Sequence, residues 1–292
     1  MRIGFIMGFD EGRIRFAKEN GFRSAELAFQ PDAPYRPGKP GWERKARDVK
    51  AAFDAAGLRI SCIAGFYVNH LDGPDVRSHK KLVRDVILLA EAIKVPVVGG
   101  FGGKKLNAPL EESIPLFKKV WTEHAKFAQD HGVKIAFENC PMGPYHQPPG
   151  GNNCMCTPWM WEACFDAVGS DALGLEWDPS HLICMFIDPV QTLRKFGSRV
   201  YHVHAKDAKV NRDLLAANGL WSAGAIEHCF PGLGDTDWAE CIKELRRQGY
   251  HGDLNIEGWH DAVYRDHPRG RKMEDEGLII GLRHLQQFVV QD

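Results

Sequence analysis

The chain has no excess of positive charge: 37 Lys and Arg stand against 38 Asp and Glu, for a formal net charge of −1 over 292 residues. Proteins that grip a phosphate backbone need such an excess, so nucleic acid is not an expected partner. No uninterrupted apolar stretch approaches the roughly 20 residues that span a bilayer, and a membrane is not expected either. Close-spaced Cys/His clusters of the structural-zinc kind are also missing. The eight cysteines are scattered singly, apart from Cys154 and Cys156. They read as reduced packing residues, in keeping with a cytoplasmic location. Met1 to Met7 is a short apolar run with only Arg2 ahead of it and no small-residue cleavage site, so it reads as a first strand and not as a signal peptide.

A hydrophobic content of 44% and a charged content of 26% allow a sizeable core. Short β-rich runs alternate with longer amphipathic segments, the pattern of parallel strands joined by crossover helices. Strands are predicted at Arg2–Met7, Ser24–Phe29, Arg59–Ala64, Pro96–Gly100, Lys134–Asn139, Gly174–Asp178, Arg199–Ala205 and Asp253–Glu257. Helices are predicted near 11–20, 42–57, 76–94, 111–131, 157–168, 188–196, 237–248 and 274–290. Gly21, Gly57, Gly132 and Gly249 each lead from a helix toward a strand, as left-handed caps do. Regular alternation predicts an α/β fold, a (β/α)8 TIM barrel, as a single domain over residues 1–292. An open Rossmann sheet would need a glycine fingerprint after its first strand, which Gly4, Gly8 and Gly12 do not supply. Three segments read as irregular: Gln30–Pro40, Pro141–Thr157 and Asn211–Thr236.

The ends of predicted strands five to eight carry Glu138, Asp178, His204 and Glu257. Charged groups at the top of barrel strands converge on the axis, and three carboxylates that close repel one another unless a cation lies between them. Three carboxylates with one imidazole suit Mn²⁺ or Mg²⁺ and admit Zn²⁺ or Co²⁺, leaving positions for substrate oxygens. Taken singly, each residue has a bland reading as a helix cap or a satisfied structural histidine. Position and residue type together favour a metal site.

Asp178-Pro179-Ser180-His181, His202-Val203-His204-Ala205-Lys206-Asp207, Pro231 to Trp238 and Ile256-Glu257-Gly258 resemble the sugar phosphate isomerase/epimerase family of xylose isomerase-like barrels. That resemblance runs over nearly the whole chain. It implies one divalent metal held by Glu138, Asp178, His204 and Glu257, with His181 contacting substrate oxygens. In ketose 3-epimerases of the family the two glutamates also move the substrate proton, which implies catalytic roles for Glu138 and Glu257 through a metal-stabilised enediolate. Pro144 and Val210 stand where those epimerases carry a further glutamate and an arginine. The expected activity is a sugar isomerase or epimerase acting on a small carbohydrate. The alternative is a metal-dependent lyase or hydrolase of 3-keto-glycosides, with an added acid such as His70 or His146.

Weaker candidates for substrate binding are His70, soon after the third strand, Lys206, one strand pitch from His204, and Trp259, two residues past a ligand. Phe66, Phe101 and Trp221 are more ordinary packing aromatics, and Gly99 to Lys104 lacks P-loop spacing. An apurinic-endonuclease-like reading would need an Asp-x-His after His204, which is missing. A non-catalytic sugar-binding barrel, and a homo-oligomer, are left open.

Overall fold

The alternating units close into a barrel in the computed structural model, which describes residues 1–141, 151–220 and 222–291. In chain order the strands are β1 (Ile3–Met7), β2 (Ser24–Ala28), β3 (Arg59–Phe66), β4 (Val97–Gly100), β5 (Lys134–Glu138), β6 (Leu173–Trp177), β7 (Val200–Ala205), β8 (Asp207–Val210), β9 (Ile226–Cys229) and β10 (Leu254–Ile256). The helices are α1 (Glu11–Asn20), α2 (Trp42–Ala56), α3 (Val76–Ile93), α4 (Ile114–Asp130), α5 (Pro158–Val168), α6 (Pro179–Cys184), α7 (Pro189–Phe196), α8 (Arg212–Asn218), α9 (Trp238–Arg247) and α10 (Arg271–Leu285). Eight strands form the closed barrel in the order β1-β10-β7-β6-β5-β4-β3-β2, while β8 and β9 make a separate two-stranded sheet. Every neighbouring barrel pair is parallel, and β8 and β9 are antiparallel. No described helix is long and apolar enough to cross a membrane.

Local chemistry explains the helix ends. Asp10 accepts a hydrogen bond from the Arg13 backbone N–H at 2.7 Å and so caps α1. The glycines expected at the turns into strands do take left-handed backbone, with φ of 88° at Gly21, 74° at Gly57, 66° at Gly132 and 79° at Gly249. Segment 211–236 departs from the irregular loop that was expected, since it contains α8 and β9. The reason is local: Asp207–Val210 and Ile226–Cys229 are short runs with polar residues interleaved, and the pairing of Ala208 with His228 zips them together. β3 also runs two residues past its expected end, to Phe66, which carries Tyr67 to the barrel top.

Side chains alternate along the strands, so every second residue enters the barrel, except at the irregularity in β3 where Ser61 and Cys62 both do. Trp177 faces outward, its indole donating to Thr192 of α7 at 3.0 Å. Glu176 faces inward, and Cys62 of β3 donates its thiol to it across the barrel at 3.8 Å. Bonds between strands that are not neighbours mark the interior: His204 of β7 to Glu26 of β2 at 2.9 Å, and Ser61 of β3 with His202 of β7 at 3.3 Å. Barrel interiors are usually filled with branched apolar side chains. Here a middle layer is polar, containing Glu26, Ser61, Glu176, His202 and Asn255, all buried.

Room for that layer is made by Gly99 of β4, where a Cβ would lie 2.3 Å from Glu176 Oε1. Gly99→Ala is therefore expected to cost about 1–3 kcal/mol, the usual penalty of overpacking. Urea unfolding measures it. A midpoint unchanged from the wild type would show that the carboxylate can move aside freely.

Candidate functional site

The four expected metal ligands are brought together. Glu138 ends β5, Asp178 and Glu257 directly follow β6 and β10, and His204 is the last inward residue of β7. One ligand atom from each lies within 4.8 Å of the others, and all four residues are buried. Asp178 shows how one side chain serves two ends. Its Oδ1 accepts the Ser180 N–H at 2.8 Å and caps α6, while Oδ2 is buried with no hydrogen bond. The cap reading is thus true of one oxygen and leaves the other to the cluster. A divalent cation fits this donor set, because it would neutralise converging carboxylates and satisfy the unbonded oxygen.

Asparagines fix the strand ends that carry these ligands. Asn139 accepts the Asp178 N–H at 2.7 Å and donates to the Asp178 carbonyl at 2.8 Å, locking β5 against β6. Asn153 donates to the carbonyls of Glu138 and Cys140 at 2.7 and 2.8 Å and accepts from Gly102 N at 3.0 Å. Glu138, His204 and Glu257 of the cluster line a cavity of about 360 Å³, together with His181, Lys206, Trp259, Phe29 and Phe101. Trp259 is half exposed at its edge.

His181 Nε2 lies 3.3 Å from Asp178 Oδ2 and 3.6 Å from Glu138 Oε1. Burial disfavours its charged form, but Cys140, Asp178 and Glu138 outweigh burial and hold the imidazole well above its ordinary value. Lys206 is 2% exposed, with Nζ 3.0 Å from Glu257 Oε2. Burial would lower this ammonium, yet the Glu257, Asp178 and Glu138 carboxylates raise it. The two glutamates diverge. Burial pushes Glu257 up against the pull of Lys206, whereas Glu138 is held down because hydrogen bonds and charge from His181 and His204 overcome its burial.

Several site residues were not picked out from sequence. Tyr67 and Cys140 line the cavity, and His228 of β9 packs edge-on against His181 with ring centroids 5.0 Å apart. Glu26 bonds to the back of His204 at 2.9 Å. A signal for Glu26 was present: a lone carboxylate in Ser-Ala-Glu-Leu-Ala, on a strand expected to be buried on both faces.

The profile of the xylose isomerase-like TIM barrel family matches residues 14–287. The chain is 32% identical over 269 residues to an inosose dehydratase of Clostridium perfringens, covering 84% of this chain and 85% of that one. It is 32% identical over 167 residues to the uncharacterised protein YfiH of Bacillus subtilis, a match to 52% of this chain and 48% of the other, so it spans about half the length of that relative. Among solved structures, D-psicose 3-epimerase from Clostridium cellulolyticum with D-tagatose superposes with a TM-score of 0.71 at 17% identity, covering 99% of both chains. The IolI protein with a bound zinc atom superposes at 0.72 and 15% identity, covering 100% of both. Likenesses at these identities speak to the fold.

His70 is placed differently from expectation. It is fully buried behind the cavity, with Nε2 hydrogen-bonded to the Phe66 carbonyl at 2.9 Å and its ring 5.5 Å from that of Trp121. The cause is the extended β3, which turns the following segment back onto α4. Tyr145, His146 and Trp221 lie outside the described residues. Burial lowers His70 to about 3 and, on the far side of Trp121, His124 to about 4. Both rings are neutral when folded and gain protons more readily when unfolded, so stability is full above a pH of about 6.5 and falls as pH drops toward the folded values. Each ring contributes a slope approaching ~1.4 kcal/mol per pH unit in that window. Urea unfolding of His124→Phe should lose less stability on acidification than the wild type. Parallel losses would show that His124 is not responsible.

Proposed function

The chain belongs to the xylose isomerase-like TIM barrel family, and from that membership we propose a divalent-metal-dependent enzyme that removes a proton beside the carbonyl of a polyhydroxylated ketone and expels water from the neighbouring carbon. Glu138, Asp178, His204 and Glu257 are the residues that would hold the metal. When bound, the metal supplies Lewis-acid stabilisation of the negative charge that develops on the carbonyl oxygen. The ketone class is suggested by the relative named inosose dehydratase.

The observation that carries this reading is the buried contact of Lys206 with Glu257, 3.0 Å long and inside the cavity. Elimination needs a base for the carbon-bound proton and an acid for the departing hydroxyl. Glu257 serves as the base. The electron pair of the broken carbon–hydrogen bond becomes a carbon–carbon double bond, and the hydroxyl on the next carbon leaves. Lys206 gives that hydroxyl a proton, and water departs. The pairing also times the acid. The negative charge of Glu257 is the largest influence that holds the proton on Lys206, and once Glu257 has accepted the substrate proton that pull is lost, which leaves the smaller ones of Asp178 and Glu138 against burial and favours release. The proton on Glu257 then passes along the same contact and restores both groups. His181, close to Glu138 and Asp178, orients substrate hydroxyls, and Trp259 covers one face of the ring.

Epimerisation is the second reading, favoured by the opposite displacements of Glu138 and Glu257: one carboxyl is inclined to take up a proton and the other to give one up. Incubating Mn²⁺-loaded protein with an inosose in deuterated water separates the two. Elimination gives a product lighter by one water that carries solvent deuterium after the enol becomes a ketone. Epimerisation gives labelled material with the formula of the substrate. Lys206→Met should retain metal and lose elimination by a factor of about 100 or more, within the span attributed to general acid catalysis. Release of water at an unchanged rate in Lys206→Met would overturn the assignment of the acid.

A further inference from the structure

The polar middle layer of the barrel is a single hydrogen-bonded network that ends on a residue of the candidate metal site. Glu26 Oε2 meets His204 Nε2 at 2.9 Å. Tyr67 places its hydroxyl 3.2 Å from Glu26 Oε1 and donates to Glu176 Oε2 at 2.7 Å. Glu176 Oε1 meets His202 Nδ1 at 3.0 Å, and His202 Nε2 accepts from Asn255 Nδ2 at 2.8 Å. Glu26, Glu176, His202 and His204 are all essentially unexposed.

Directions within the network follow from the donors. A carboxylate accepts, so His204 gives its Nε2 hydrogen to Glu26 and keeps Nδ1 for the cluster, where Nδ1 lies 3.1 Å from Glu138 Oε1 and 3.8 Å from Glu257 Oε2. His202 donates from Nδ1 to Glu176 for the same reason, since its Nε2 is occupied by the Asn255 amide. Such a layer is costly. Well-packed apolar residues in place of buried ionic groups are often neutral or stabilising, and here Gly99 must stay without a side chain to admit Glu176. Among the described residues the network reaches the cavity through His204 and Tyr67, which locates its use there.

We propose that Glu26 is a positioning residue that fixes the tautomer and ring orientation of His204 and thereby sets how tightly the barrel mouth takes a divalent cation. Tyr67 and Glu176 brace Glu26 from behind. To hold a cation His204 would have to present Nδ1 without its proton, while the Nε2 hydrogen stayed with Glu26. The negative charge of Glu26 makes the ring a better donor, an effect that in metal sites is commonly worth 10–100-fold in affinity. This inference rests on the metal-site reading above.

Mn²⁺ binding to the full chain, followed by calorimetry and by elemental analysis, tests it with Glu26→Gln, Glu26→Ala and Tyr67→Phe. The wild type should take one equivalent. Glu26→Ala should bind about 10–100-fold more weakly, and Glu26→Gln should fall between it and the wild type, because the amide oxygen still accepts from Nε2 without the charge. Tyr67→Phe should shift affinity less. Thermal midpoints of the metal-free variants separate positioning from bulk structure, since Glu26→Gln should leave the midpoint unchanged or raise it while affinity drops. Equal affinity in the wild type and both Glu26 variants would overturn the proposal and leave the metal-site reading standing. Two equivalents in the wild type, one of them lost with Glu26→Gln, would also overturn it, because Glu26, Cys62, Glu176 and His202 would then hold a cation of their own. No binding to the wild type would remove the reading itself and the inference with it.

Discussion

The mutual repulsion of Glu138, Asp178 and Glu257 within one buried cluster is the constraint on which the rest of the barrel mouth depends. Three carboxylates whose oxygens come within 4.8 Å of one another and of an imidazole cannot all be charged in a dry cavity without compensation. Nearby positive charge comes from Lys206 on Glu257 and from histidine against Glu138. Asp178 Oδ2 makes no hydrogen bond, and the His181 imidazole stands 3.3 Å from it. Asn139 and Asn153 tie down the backbone that carries these repelling side chains.

Barrel parity explains how so many functional groups come together. His202, His204 and Lys206 occupy alternate positions along and just past β7, and Glu176 and Asp178 do so on β6. One layer down, the same inward faces carry the network that supports the ring of His204. The outward faces between them hold Val203, Ala205 and Trp177, which pack under the helices. A slip of one residue in any strand would exchange these sets, so the register that seals the outer core is also the register that assembles the site.

Much of this was legible because parallel barrel strands announce themselves by alternation and their last residues by charge. The ends of β5, β6, β7 and β10 could be named from Glu138, Asp178, His204 and Glu257 because hard, polar side chains interrupt otherwise apolar runs. What was not legible depended on contacts between distant strands. Glu26 looks like a solitary strand carboxylate until β2 and β7 face each other across the barrel, and β9, which brings His228 to His181, is hidden in a loop-like stretch. His70 misled for a related reason: its distance from a strand end in sequence says nothing about the direction in which an extended β3 sends the chain. Lys206 was visible as an inward residue, but its partner on another strand was not.

The central claim is that the four strand-end residues hold one cation. Crystals of the protein grown with Mn²⁺ and measured on the manganese absorption edge test it most directly. The account predicts a single anomalous peak in the barrel, within about 2.0–2.6 Å of oxygens from Glu138, Asp178 and Glu257 and of His204 Nδ1, the range of such bonds. A barrel mouth with no anomalous peak, or a peak bonded only to Glu26 and Glu176, would contradict it.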